Sequence, residues 1–211
     1  TMYDAGLLCP VARGPARQQI GLEEELPFYG VDSWTAYELS WLNPKGKPVI
    51  AVGEIVFPCT APQIIESKSF KLYCNSLNQT RFDSPATVQK TMTKDLSRTA
   101  GKEVKVRLIS AENFEQLQIA QPEGVCIDGL DIDVGHYQVA PDLLATGVDI
   151  ADQSLHSHLL RTNCPVTGQP DWATVVIQYY GQHILEESLL AYLISYRQHT
   201  GFHENCVESI F

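Results

Sequence analysis

The sequence is short of basic residues: 15 Lys and Arg stand against 25 Asp and Glu, a net charge of −10. Gripping a phosphate backbone takes clustered Lys and Arg. Direct nucleic-acid binding is therefore not expected, and a small neutral ligand suits the chain better. Its six cysteines, Cys9, Cys59, Cys74, Cys126, Cys164 and Cys206, include no CxxC pair, which argues against a zinc ribbon and a dithiol redox centre. No GxGxxG follows a strand pattern and no GxxxxGK[ST] occurs, so neither a Rossmann nor a P-loop nucleotide site is encoded. No apolar run approaches the ~20 residues of a membrane helix, and no membrane partner is expected. In a chain of this size without a leader pattern, the thiols are expected free in a reducing cytoplasm.

What is present is a globular composition, 44% apolar and 19% charged over 211 residues, enough to bury a core. Residues 1–30, rich in Gly and Pro, read as an irregular arm. Two strands follow, Trp34–Leu42 and Val49–Phe57, joined by the turn Asn43-Pro44-Lys45-Gly46. The second is apolar on both faces and reads as a central strand. Phe70, Tyr73 and Leu77 mark one helix. Ser84-Pro85 reads as an N-cap with proline at the first helical position, Val88, Met92 and Leu96 as a stripe, and Gly101 as the stop of the next helix. Strands are expected over 103–109 and within 125–134, closing a first domain over 31–140. Residues 141–153 read as a linker. The order then restarts in 154–211, with strands His156–Thr162 and Trp172–Tyr180, a helix carrying Leu189, Tyr192, Leu193 and Tyr196 that stops at Gly201, and a helix from Phe202. At an offset of 119, Ser69, Tyr73, Ser76 and Gln79 recur as Ser188, Tyr192, Ser195 and Gln198. That period fits a duplicated domain rather than a solenoid. The expected class is α+β.

Three constellations could carry chemistry. In Cys164-Pro165-Val166-Thr167-Gly168-Gln169-Pro170-Asp171-Trp172 two prolines and a glycine shape a loop ahead of a strand. A thiolate there could attack, with Asp171 accepting and returning a proton; equally, Cys164 could be a small apolar residue and Asp171 a turn former. Ile65-Glu66-Ser67-Lys68 opens a helix, where free N–H groups and Lys68 favour an acceptor-rich ligand and Glu66 could hold a guanine-like edge. Ordinary capping explains the same residues. Phe202-His203-Glu204 opens the matching helix, offering a proton shuttle and a second carboxylate, or simply a solvated helix start. His156 and His158 invite a metal, but alternate strand positions with no partner cysteine make weak ligands, and no metal is expected.

Glu66-Ser67-Lys68-Ser69-Phe70-Lys71-Leu72-Tyr73, the Cys164–Trp172 loop and Phe202-His203-Glu204, in that order and spacing, resemble the two-domain form of the 7-cyano-7-deazaguanine reductases, the nitrile reductases of queuosine biosynthesis. Trp34–Asn43 and Asn75–Phe82 add to the likeness, which covers nearly the whole chain. The resemblance implies tandem tunnelling-fold domains, each an antiparallel four-stranded sheet with two helices between its second and third strands, assembled as a homo-oligomer, most simply a homodimer. It implies Cys164 as the nucleophile that forms a thioimide with the nitrile and Asp171 as proton donor, with NADPH as hydride source. Ile65, Glu66, Ser67, His203 and Glu204 would hold 7-cyano-7-deazaguanine, and Ser67 and Lys68 the cofactor phosphate. The family's Arg-Gly-Gly segment, which helps hold NADPH, has no counterpart up to Phe211. The native chain is expected to continue with two more strands that complete the second sheet and the cofactor site. The competing readings are another tunnelling-fold purine or pterin enzyme and a non-catalytic purine-binding module of the same fold.

Overall fold

The computed structural model describes residues 2–23 and 25–211 and divides into two compact units, Thr1–Gln118 and Ile119–Phe211. This boundary falls earlier than the expected 140/141, because the stretch after 118 pairs and packs with the second half of the chain.

In the first unit β1 (Pro10–Ala12) and α1 (Gly14–Gln19) precede the long strands β2 (Val31–Leu42) and β3 (Pro48–Pro58). Then come β4 (Gln63–Ile65), α2 (Ser67–Leu77), α3 (Pro85–Ala100) and β5 (Lys105–Ser110). The sheet runs β2-β3-β5, all antiparallel, and β3 is central, as its two apolar faces require. Ala51, Ile55 and Phe57 meet the helices' Phe70, Tyr73 and Leu77 and Val88, Met92 and Leu96. Ser84 Oγ accepts from Thr87 N–H (3.2 Å), Pro85 follows, and Gly101 ends α3 at φ +78°, the αL cap that glycine adopts without a Cβ penalty. The α3 stripe is fully buried, and each such side chain contributes about 1.5–3 kcal/mol.

The expected irregular arm is structured. β1 pairs antiparallel with β4, Pro10 opposite Ile65, and the buried Arg13 ion-pairs with Asp32. Gly14 and Pro15 open α1, while the described residues between 20 and 30 form no helix or strand.

The second unit holds β6 (Val125–Cys126), β7 (Thr146–Asn163), β8 (Pro170–Ile184), α4 (Glu186–Ser195) and α5 (His203–Ile210). β7 and β8 are antiparallel, and β6 adds in parallel with Cys126 opposite His156. The expected strand within 125–134 thus shrinks to two residues. Gly and Asp at 124, 128, 129, 131, 133 and 135 give it no alternating apolar face, and it joins the second unit's sheet instead of the first's. Each main sheet therefore has three strands among the described residues, not four. The expected linker is largely β7, because Val148, Ile150 and their neighbours extend the hairpin opposite 180–184. The helix expected to reach Gly201 ends at Ser195 in a 3-10 turn.

The two units share details. The β2 register slips between Ala36 and Leu39, the β7 register between Ser157 and Leu160. Single parallel bridges, Leu42–Arg81 and Asn163–Thr200, occupy matching places. In each unit a short strap crosses the first long helix. Cys9 N–H donates to Ser69 Oγ (3.0 Å) and Asp4 N–H to Ser76 Oγ (3.2 Å). Ala145 N–H donates to Ser188 Oγ (3.0 Å) and Ala140 N–H to Ser195 Oγ (3.2 Å). The repeated serines are the strap's anchors. Among the described residues no helix is long and apolar enough to cross a membrane.

Candidate functional site

Cys164 opens the β7–β8 hairpin loop. Its N–H donates to Gln169 O (2.8 Å), and its own carbonyl accepts from Gly168 N–H (2.9 Å). Gly168 takes φ +69°, a left-handed conformation suited to glycine. In the first unit Asn43 opens the β2–β3 turn in the same way: its N–H donates to Lys47 O (2.9 Å), and its Oδ1 accepts from the N–H groups of Lys45 (3.0 Å) and Lys47 (2.9 Å). In both loops the opening residue's N–H donates to a carbonyl across the turn. Near Cys164 the Thr167 hydroxyl, then the N–H groups of Thr167 and Val166, favour the thiolate. They hold the thiol below the ordinary thiol range, against burial and the negative charge of Asp171. A thiolate stabilised by loop donors is the reactive form.

Asp171 is the second residue of β8, opposite Thr162. Thr162 is fully buried and its Oγ1 lies 3.1 Å from His203 Nε2. This contact ties the start of α5 to the end of β7, as do Asn163 N–H to His199 O (2.8 Å) and Gly201 N–H to Asn163 O (3.2 Å). Burial, then the charges of Glu204 and Asp171, push the Cys206 thiol up to about 12. One end of the second unit therefore carries Cys164, Asp171, His203 and Glu204. Thr162, which faces Asp171 and contacts His203, and Thr167, next to Cys164 in its loop, are threonines with no distinguishing pattern in the sequence. A cleft of about 620 Å³ lies beside this end, bordered by His203, Cys206, Leu160 and Ala173; neither Cys164 nor Asp171 lines it.

The other candidates open α2 in the first unit. Ile65 is buried in β4 and Glu66 N–H donates to Cys9 O (2.9 Å). Glu66 caps the helix: Oε1 accepts from Lys68 N–H (2.8 Å) and Oε2 from Ser69 N–H (2.6 Å). Ordinary capping is thus part of what Glu66 does. Each carboxylate oxygen keeps a further acceptor position. Ser67 and Lys68 are exposed. With two helix N–H groups already on Glu66, an anion here would meet the Ser67 hydroxyl and Lys68 ammonium, on the positive end of the helix dipole. A cavity of about 890 Å³ in this unit is bordered by Lys68, Lys71, Glu38 and Tyr37, and not by Glu66.

Comparison with known proteins gives a consistent result. Residues 1–108 match the family model described as "Nitrile reductase, 7-cyano-7-deazaguanine-reductase N-term", and residues 170–211 the model described as "QueF-like protein". Proteins named NADPH-dependent 7-cyano-7-deazaguanine reductase are similar along nearly all of the chain. The one from Desulfotalea psychrophila is 56% identical over 211 residues, covering 99% of this chain and 76% of its own. That from Chromohalobacter salexigens is 51% identical over 210 residues, with 99% and 76% covered. That from Burkholderia ambifaria is 50% identical over 211 residues, with 99% and 77% covered.

Proposed function

The chain belongs to the 7-cyano-7-deazaguanine reductase family, and from that membership we propose that it reduces the nitrile of 7-cyano-7-deazaguanine to the aminomethyl group, with NADPH as reductant, for queuosine biosynthesis. The observation that carries the mechanism is the Cys164 loop, whose donors lower the thiol's pKa beside a carboxylate.

In this reading Asp171 takes the thiol's proton, a Cys164 Sγ lone pair forms the C–S bond at the nitrile carbon, one C≡N π pair moves to nitrogen, and Asp171 returns the proton to it to complete the N–H bond. The thioimide is easier to reduce than the nitrile, so one hard step is split. The whole conversion takes two hydrides and two protons, and NADPH supplies the hydrides when bound. When the C–S bond breaks, the loop donors receive the thiolate back. His203, held on Thr162, carries protons at the α5 end. Each unit offers candidate groups of its own to the base, Ile65, Glu66 and Ser67 in the first and His203 and Glu204 in the second, the carboxylates accepting from its N–H groups, and Ser67 and Lys68 would hold cofactor phosphate. The exposed Ser67 and Lys68 at a helix start fit that role.

Each unit's order of two long antiparallel strands followed by two helices supports a tandem tunnelling fold. The first unit's sheet has β2 and β5 at its edges, whose backbone donors a second copy of the chain would satisfy; a homodimer is the simplest such assembly, checked by light scattering after gel filtration. Six free thiols suit the reducing cytoplasm.

Intact-mass measurement after incubation with the nitrile tests the central step. One substrate mass per chain is expected, and none in Cys164→Ala. An adduct that survives that substitution defeats the mechanism. Binding without any adduct in the unaltered chain would favour the purine-binding module.

A further inference from the structure

Cys126, His156 and His158 each offer one ligand atom, and these atoms all lie within 4.8 Å of one another. The sequence gives no hint of this, because the cysteine reaches the histidines only through the parallel pairing of Cys126 with His156. The premise that the two histidines lack a partner cysteine is thereby corrected.

The cluster is held from several sides. Ile127 N–H donates to His156 O (3.0 Å). Asp128 accepts from Ser157 Oγ (2.6 Å) and His158 N–H (3.0 Å), and Ser157 Oγ accepts from Leu159 N–H (3.1 Å). These contacts occupy N–H groups within the β7 register slip and hold His158 in place; bulges commonly re-aim side chains in this way. Gly124 makes the approach possible: a Cβ built there would sit 2.2 Å from Ser154 O. His158 Nδ1 lies 2.8 Å from Thr174 Oγ1, an outer contact of the kind that orients a ligating imidazole. His156 is 8% exposed, and its Nδ1 is buried with no hydrogen-bond partner. A buried imidazole nitrogen without a partner is costly, and a ring left short of partners beside a thiol and a second imidazole stands among the donors that metal ions take.

We propose that Cys126, His156 and His158 form a site for a divalent late first-row transition ion, zinc foremost, with a fourth position open to water or an exogenous donor. One sulfur and two imidazole nitrogens suit zinc and exclude calcium and magnesium, which take oxygen. In a tetrahedral zinc site such ligand atoms stand roughly 3.3–3.6 Å apart, so closure takes side-chain rotations of about an ångström. The ion fastens β6 to β7, six residues before Cys164.

The test uses the full chain with Zn²⁺ or Co²⁺ alone. One ion per chain is expected. Co²⁺ should give a thiolate charge-transfer band that disappears in Cys126→Ser. Zn²⁺ affinity should fall at least about tenfold in Cys126→Ser and in His158→Ala, and stay unchanged in Cys164→Ser. Both altered ligands are exposed, and matching circular dichroism confirms that the variants fold. Independently of any variant, Zn²⁺ should slow alkylation of Cys126 and not of Cys9, which is also exposed. Overturning results are no ion bound at one per chain, binding that survives both ligand substitutions, binding lost with Cys164, or equal alkylation of Cys126 with and without Zn²⁺.

Discussion

Replacing Thr167 with valine removes the leading donor to the Cys164 thiolate while keeping the side chain's shape. A hydrogen bond to a charged group is worth about 1.5–3 kcal/mol, but this sulfur lies close to solvent, where such interactions fall to about 0.2–1 kcal/mol. Since about 1.4 kcal/mol is a factor of ten, losing the bond leaves at most about fivefold less thiolate below the inflection. The remaining thiolate is roughly twofold more nucleophilic, so labelling slows by about twofold. The assay is the pH dependence of Cys164 alkylation by iodoacetamide, read by peptide mass. The inflection should lie below the ordinary thiol range in the unaltered chain and move up in Thr167→Val. Asp171→Asn should move it the other way, because the charge of Asp171 raises the Cys164 pKa. An inflection that stays put in a folded Thr167→Val protein would refute the claim that loop donors poise this sulfur.

Asp171→Asn should still cut turnover by about 10²–10⁴-fold despite its readier thiolate; unchanged turnover would reduce Asp171 to a turn former. Glu204→Gln should weaken substrate binding with little change in Tm. Glu66→Gln should weaken binding and also cost about 0.5–2 kcal/mol of stability, because Glu66 caps α2; titration and melting separate the two effects. Asp95→Ala should destabilise the first unit by about 1–3 kcal/mol in denaturant melts, since Asp95 accepts from the Tyr73 hydroxyl (2.9 Å) and the Tyr3 hydroxyl (2.6 Å). Burial pushes the Cys74 and Cys206 thiols up from about 9 to about 12. Burial and Asp95 push the Tyr3 hydroxyl from 10 to about 12. A group raised on folding adds stability below its unfolded value and loses it as pH rises. Tm should therefore hold below pH 9 and fall between about 9 and 12, and a flat alkaline profile would contradict the burial of these groups.

The parts of the fold legible in the sequence are those written in side chains. Ser84-Pro85, the Val88–Met92–Leu96 stripe and Gly101 delimit α3 almost to the residue, and two apolar faces place β3 at the centre. The β6–β7 pairing escaped because two residues, Val125 and Cys126, pair in parallel with a strand some thirty positions on, and nothing in their pattern names the partner. The straps escaped because they dock through backbone N–H groups, which every residue but proline possesses. A faint signal existed in Leu7-Leu8 and Leu143-Leu144, the same pair in both straps. At the candidate site Cys164 and Asp171 stand out in a turn-rich loop. Thr162 and Thr167 do not, because their roles depend on cross-strand and cross-loop neighbours.

The straps also act as rulers. Ser69 and Ser76 mark about 10–11 Å along α2, two turns of helix. The run from Asp4 to Cys9 would overshoot that at ~16 Å if fully extended. Winding Ala5–Leu7 into a 3-10 turn, at ~2.0 Å per residue, draws it in to roughly 12–13 Å, and both N–H groups then meet their serines. Pro141–Leu143 winds in the same way ahead of α4. What the straps encode is therefore length. Even with the core contacts of Leu7, Leu8 and Leu143 kept, one residue inserted or removed puts an anchor out of reach, so these loops are intolerant of the very change that surface loops usually absorb most easily.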